Sequence, residues 1–316
     1  MSLVSVIVPM YNAENFISAT LSSILQERDI PLEVVVVNDG CTDASVAKVQ
    51  AFEDERVRVI DGPCQGVAAA TNAGLAEARG EIVMRGDADD LYPPKRIAQQ
   101  VKWLTTHPEL GAVSGSFATI DAKGNLVAKL SCGQYAEEIT EELRNGITRN
   151  HFCTFAVRTE VWKATGGNRP WLDSAEDIDL QLRVGELCRV WYVPDILYYY
   201  RLHDASVTHR QRNVEREFFE SIAREFQQQR LTQGSDDLQR GCPPTPPQSD
   251  DRSVKKAGEH VQGMLIGSAW REHQAGHKRQ ALAMGMRSVI AQPINLTAWR
   301  SLLALAAKPA GRRRIQ

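Results

Sequence analysis

No apolar run in this chain of 316 residues is long enough to cross a bilayer. The amino terminus also lacks a charged segment followed by a signal-type apolar region. The chain is therefore expected in the cytoplasm. Its six cysteines, at positions 41, 64, 132, 153, 188 and 242, form no CxxC pair. Neither a zinc site nor a disulfide framework is suggested, and they read as small, mostly buried thiols. A strong excess of one charge is missing too. A formal net charge of −2 leaves no overall basic field, which argues against nucleic acid as a partner. The basic run Arg312-Arg313-Arg314 is local, and reads either as a solvated tail or as a touch point for an anionic membrane surface.

What is present is an ordinary globular composition, 43% apolar and 24% charged, with length for one large domain and a small one. Val4 to Val8, Glu33 to Val37, Val57 to Ile60 and Ile82 to Met84 are short β-branched or apolar runs that read as buried parallel strands. Ala13 to Gln26 and the alanine-rich Val67 to Ala78 alternate with them as helices. This pattern predicts an α/β fold, a mostly parallel sheet flanked by helices, with ligands at the carboxyl ends of the strands. Pro93-Pro94 is expected in the first turn of a helix reaching His107. A strand over Ala112 to Ile120, a turn at Asp121 to Asn125, a helix near Asp177 to Leu187 and a strand over Val190 to Tyr200 follow. From Gln229 to Lys255 the composition shifts to a polar, proline-rich linker or disordered loop. Ala257 to His273, Lys278 to Ala291 and Leu296 to Ala307 read as a helical appendage, too short for an independent repeat solenoid. The expected division is 1–210, 211–255 and 256–316.

The most informative segment is Gly86-Asp87-Ala88-Asp89-Asp90-Leu91, directly behind the strand Ile82-Val83-Met84. Carboxylates crowded at a strand end repel one another unless a cation or a basic partner offsets them. Asp87 and Asp89 are hard oxygen ligands suited to Mg²⁺ or Mn²⁺, whose remaining coordination is commonly water and substrate phosphate. The first two strands exit into Pro9-Met10-Tyr11-Asn12-Ala13-Glu14 and Asn38-Asp39-Gly40-Cys41-Thr42-Asp43. On neighbouring parallel strands these loops meet. Tyr11 can cover a nucleobase while Asp39 accepts its imide hydrogen, a pairing that suits uracil or thymine. Neither loop is a GxGxxG or GxxxxGK phosphate cradle, so nicotinamide and ATP-driven chemistry lose support.

The stretches VSVIVPMYNAENF, EVVVVNDGCTDAS, GVAAATNAGLAEARGEIV, GDADDLYPPKRI, SAEDIDLQLR and YYYRLHDASVT, in this order, resemble a family 2 glycosyltransferase with the GT-A fold. The resemblance runs from Val4 to about Thr208. It implies that Pro9, Tyr11, Asn12, Glu14 and Asp39 hold the nucleoside, that Gly66 and Asn72 shape the same pocket, and that Asp87 touches the ribose or sugar. It also implies a divalent metal on Asp89 and Asp87, with His203 at a position near the diphosphate or metal, where a structural histidine is an equal reading. In Ser174-Ala175-Glu176-Asp177 it assigns Asp177 as general base and Glu176 as the residue that orients the acceptor. The implied reaction is inverting transfer from a nucleotide-diphosphate sugar, a UDP-sugar by preference, to a hydroxyl of a saccharide or lipid-linked acceptor. A lipid-linked acceptor would bring the chain peripherally to the inner face of the membrane.

Cys41, Thr71 and Arg85 depart from the commoner family pattern, and Arg85 is a candidate compensating charge. Polysaccharide synthases of this fold carry QxxRW and membrane helices, and Gln181-Leu182-Arg183 is not that element. Haloacid dehalogenase-like phosphatases place their DxD after the first strand, and Asp87 comes too late. A catalytically decayed sugar-nucleotide-binding protein with an interaction tail is the remaining alternative, opposed by the presence of both the acidic run and Glu176-Asp177. Trp171 is a candidate for stacking on a sugar, Trp162 and Trp191 read as core, and His151 borders the acceptor region of relatives. The donor sugar, the linkage and the oligomeric state are not read from the sequence.

Overall fold

Val4–Met10 (β1) and Leu32–Asn38 (β2) are dominated by β-branched and other apolar side chains, the composition of strands covered on both faces. The computed structural model describes residues 2–130, 133–203, 213–247, 257–274 and 276–309, and in it every residue of β1 is buried. Ile17–Leu25 (α1) leads to β2, which pairs with β1 in parallel, Met10 opposite Asn38. After Ser45–Gln50 (α2), Val57–Asp61 (β3) joins the outer side of β2. Val67–Glu77 (α3) then leads to Ile82–Arg85 (β4), parallel to β1 with Ile7 opposite Arg85. All four strands point the same way, so the loops after β1, β2 and β4 emerge at one edge. The alanine-rich α3 lies very close to β1: a Cβ on Gly74 would sit 2.4 Å from the Ile7 side chain.

Arg96–Thr106 (α4), Leu110–Asp121 (β5), Leu126–Leu130 (β6), Glu137–Glu138 (β7), Thr140–Arg144 (α5), a 3₁₀ turn at Phe152–Thr154, Ala156–Arg158 (β8), Thr159–Ala164 (α6), Glu176–Leu187 (α7) and Arg189–Leu202 (β9) follow. The strand order is β3-β2-β1-β4-β8-β5-β9-β7, with β6 on β5. Beyond the parallel half, β8 runs antiparallel to β4 and β5, and β7 antiparallel to β9. The expected α/β architecture stands. Chain contacts divide it into two units, residues 1–117, 131–199 and 213–251 in the first and 118–130, 200–212 and 252–316 in the second. Ile7, Val35, Val83, Phe155, Trp162 and Leu180 centre the core of the first. In the second, Ala257–Gln274 (α9), Lys278–Ala291 (α10) and Leu296–Ala307 (α11) pack through Ala269, Ala281 and Leu305, while Leu265 of α9 covers Val127 and Ala128 of β6.

Three expectations are corrected. Pro93 and Pro94 precede α4 rather than opening it, because Lys95 takes a left-handed conformation (φ 62°) that breaks the helical path before Arg96. Gln229 to Gln233 continue the helix Asn213–Gln233 (α8), and Asp236 beyond it is buried between Arg169 and Arg230 at 2.6 Å from each. The compositional shift therefore marks the end of a helix, not the beginning of free chain. Cys64 and Cys242 are exposed, against the reading of buried thiols, because both lie in surface loops; Cys153 is buried, Cys41 and Cys188 are half-buried, and Cys132 lies outside the described residues.

Candidate active site

The loops after β1 and β2 are stitched by short side chains. The Asp39 N–H donates to Met10 O at 2.9 Å, the Cys41 thiol donates to the same carbonyl at 3.3 Å, and the Asn12 N–H donates to the Cys41 sulfur at 3.3 Å. Burial pushes the Cys41 thiol up, in keeping with its part as a neutral donor. Asn12 adopts φ 49°, and its Oδ1 accepts from the Thr42 N–H at 2.8 Å. Glu14 Oε2 accepts from the Ala44 N–H at 3.1 Å. Asn12 and Glu14 are thus engaged in fixing the loop. Tyr11 is exposed and Asp39 is buried, with the Asp39 carboxylate accepting from the Gly66 N–H at 2.8 Å and the Gln65 N–H at 3.3 Å. Gly66 supplies the positive φ of +88° that turns this segment into α3.

At the end of β4 the expected carboxylate repulsion is met by a buried cation. Arg85 Nη2 lies 2.9 Å from Asp87 Oδ1, and Nη1 lies 3.4 Å from Glu176 Oε1. The Asp87 N–H donates to the Tyr198 hydroxyl at 2.9 Å, and the Cys153 thiol faces Asp87 Oδ2 at 3.5 Å. Below them the Tyr92 hydroxyl donates to Arg85 O at 2.9 Å, and the Arg96 guanidinium lies 3.8 Å from the Tyr92 ring centroid. Asp87 and Asp89 stay half-buried.

Glu176 and Asp177 begin α7, Glu176 buried and Asp177 half-buried. Burial raises Glu176 to about 7, against the opposing pull of Arg85. Helix α7 is anchored one turn on: Asp179, fully buried, pairs with Arg169 and with Arg183 at 2.7 Å. His151 feels both Asp177 and Asp87, yet burial lowers its pKa. Its ring packs edge-on against Phe117 at 4.5 Å.

The structure therefore brings together Pro9, Tyr11, Asn12, Glu14, Asp39 and Gly66 at the ends of β1 and β2, and Asp87 with Glu176 through Arg85. Asn72 lies on α3, six residues beyond Gly66. Its carboxamide is bonded to the main chain of Asn168, Nδ2 to O at 2.8 Å and Oδ1 from N at 2.7 Å. Trp171, half-buried, packs on Phe219 and Phe226 at 5.4 and 5.7 Å. Trp162 is fully buried. His203 follows β9 and belongs to the second unit. Cys153 and Asn168 were given no place in the site by sequence reasoning, because their partners lie 66 and 96 residues away.

Among the described residues no three His, Cys, Asp or Glu side chains converge as a metal cage. Asp87 already contacts Arg85 and Cys153. Two carboxylates on one loop are a donor set short of a closed cage, which fits a Mg²⁺ or Mn²⁺ ion that takes water and phosphate oxygens for the rest.

Residues 5–173 match the family model described as Glycosyl transferase family 2. The chain belongs to this family. Among relatives of this glycosyltransferase, the chondroitin synthase of Pasteurella multocida (strain Pm70) is 29% identical over 203 residues, 64% of this chain and 21% of that protein. The putative glycosyltransferase EpsH of Bacillus subtilis (strain 168) is 30% identical over 228 residues, 69% of this chain and 65% of that one. The chain thus spans about a fifth of the first and just under two thirds of the second. S. aureus TarS 1–349 in complex with UDP-GlcNAc superposes with a TM-score of 0.56 at 20% identity, covering 96% of this chain and 88% of that one. Mannosyltransferase PcManGT from Pyrobaculum calidifontis, in complex with GDP-Man and Mn²⁺, gives 0.50 at 23%, covering 97% and 86%. At these identities the likeness speaks to the fold, which is GT-A.

Proposed function

We propose that this glycosyltransferase moves a sugar from a nucleotide-diphosphate sugar, a UDP-sugar by preference, to a hydroxyl of a saccharide or lipid-linked acceptor, with inversion and with Mg²⁺ or Mn²⁺. The observation that supports this best is the Arg85 bridge, which joins the acidic loop after β4 to the first residue of α7. Donor-side and acceptor-side acids are thereby neighbours. The relative named as a chondroitin synthase favours a saccharide acceptor; of the two structural neighbours, TarS holds UDP-GlcNAc and PcManGT holds GDP-Man. Residues 1–210 would be the glycosyltransferase domain, 211–255 a helix and a Pro-rich linker, and 256–316 the helical appendage.

In this reading Tyr11 covers the base and Asp39 accepts its imide hydrogen, while Pro9, Asn12, Glu14 and Gly66 hold those two in place and Asn72 supports the adjoining loop. Asp87 reaches the ribose or sugar. Asp177 takes the proton from the acceptor hydroxyl as that oxygen attacks the anomeric carbon, and Glu176 orients the acceptor. Asp89 and Asp87, with His203 as a further candidate ligand, would hold a divalent cation, whose positive charge would offset the charge of the departing diphosphate. One displacement requires no carboxylate nucleophile and inverts the centre.

A panel of sugar nucleotides, screened by thermal shift with and without Mn²⁺, tests the donor. A ligand at a hundredfold its Kd stabilises by about 2.7 kcal/mol. The product's anomeric configuration by NMR tests the stereochemistry. No shift with any sugar nucleotide, or a retained configuration, overturns the reading.

A further inference from the structure

The second unit carries an apolar face that its own packing does not use. Helix α11 turns Ala298, Leu302 and Leu305 inward, while Leu296 and Leu303 are 68% and 66% exposed and Trp299 is also open. Positions 296, 299 and 303 share one side of a helix. Ile290 in the last turn of α10 and Ile294 in the connection are 71% and 93% exposed. The Trp299 indole donates to Pro293 O at 2.9 Å, which draws this ring onto the same connection. The five side chains therefore form a patch around the α10–α11 turn. Isolated exposed leucines are ordinary, whereas a contiguous patch marks a contact surface.

The charge around it identifies the kind of partner. No Asp or Glu follows Glu272 in the sequence, whereas Arg279 at the start of α10 and Arg300 on α11 are exposed cations, and Arg287 of α10 donates to Leu126 O of β6. Arg300 lies between Trp299 and Leu303 on the exposed side of α11. A second copy of the chain would bring like charges together across this face, and nucleic acid would leave the aliphatic side chains unmatched. An anionic bilayer satisfies both: headgroup phosphates meet the guanidinium groups while aliphatic and indole side chains enter the acyl boundary.

We propose that the α10–α11 turn and the exposed face of α11 are a membrane-docking surface for anionic lipid. The proposal stands apart from the catalytic reading, and either can fail without the other. The test is co-sedimentation of the full chain with vesicles of phosphatidylcholine alone, or of phosphatidylcholine mixed equally with phosphatidylglycerol. The chain binds the mixed vesicles and is released by high salt. Arg300→Glu weakens that binding on the order of tenfold, and the paired change Ile294→Ser and Leu303→Ser does so by a comparable factor. All three positions are exposed, so circular dichroism of the variants is unchanged. Equal binding to both vesicle types, or no binding at low salt, overturns the proposal. So does a concentration-dependent dimer in ultracentrifugation that the paired change dissolves, which would assign the face to a second copy.

Discussion

The Asn72 carboxamide and the Asn168 main chain exchange two hydrogen bonds, of 2.8 and 2.7 Å, across 96 residues of sequence. One partner sits on α3, beside the Asp39–Gly66 contact; the other is buried in the loop that leads to α7. Asn72→Ala leaves the buried N–H and C=O of Asn168 without these bonds, at a cost of about 1–3 kcal/mol in a denaturant melt. As a positioning residue, Asn72 should affect kcat through the placement of α7 and leave donor KM nearly unchanged. A rise in donor KM with kcat intact would instead return Asn72 to the lining of the nucleotide pocket.

Arg85 contacts two acidic side chains at once, Asp87 at 2.9 Å and Glu176 at 3.4 Å, and all three are at least partly withdrawn from water. Removing one partner of a buried pair typically costs about 3–5 kcal/mol, because the remaining charge keeps its desolvation penalty without compensation. Arg85→Met is expected to lose stability on that scale by guanidinium unfolding. Adding Glu176→Gln to it should recover part of the loss. An Arg85→Met chain as stable as the parent would show that the bridge contributes nothing.

The raised pKa of Glu176 gives stability a defined slope. In the unfolded chain the group ionises near 4.5, whereas burial holds it protonated in the fold to about 7. Between these values the folded chain carries the extra proton, so unfolding releases it and stability falls as pH rises, levelling above the window. The size is on the order of 3 kcal/mol. Urea melts across this range should show the decline in the parent and a flatter profile in Glu176→Gln. An increase in parental stability through the same window, reversed by the substitution, would contradict a raised value.

Much of this arrangement was legible in the sequence, for a physical reason. Buried parallel strands such as β1 and β2 need nearly continuous β-branched runs, so their positions and their loop residues Tyr11, Asp39 and Asp87 show in one-dimensional order. Side-chain partners across long separations do not. Arg85 was readable as a spare cation next to the acidic run, but its 3.4 Å contact to Glu176 depends on where α7 begins in space. Trp171 stands near the Glu-Asp pair in sequence, but its three-dimensional neighbours Phe219 and Phe226 are not readable from that spacing. Composition likewise placed the linker too early, since the glutamines at the end of α8 are good helix formers in a polar stretch.

Two substitutions separate proton removal from donor binding. Asp177 is half-buried at the start of α7 and Asp89 half-buried after β4, so neither change opens a large core cavity. Asp177→Asn keeps size and hydrogen-bonding capacity but cannot accept the acceptor's proton, and general-base catalysis is worth about 10²–10⁴ in rate. Transfer should fall by that factor while calorimetric binding of the sugar nucleotide survives. Asp89→Ala should reverse the pattern, abolishing the Mn²⁺-dependent part of nucleotide affinity. Near-normal turnover in Asp177→Asn would remove it from the base's role, and metal-dependent affinity persisting in Asp89→Ala would move the cation elsewhere. If both variants lost donor affinity equally, the two acids would be acting as one binding cluster, and the division of roles between β4 and α7 would be wrong.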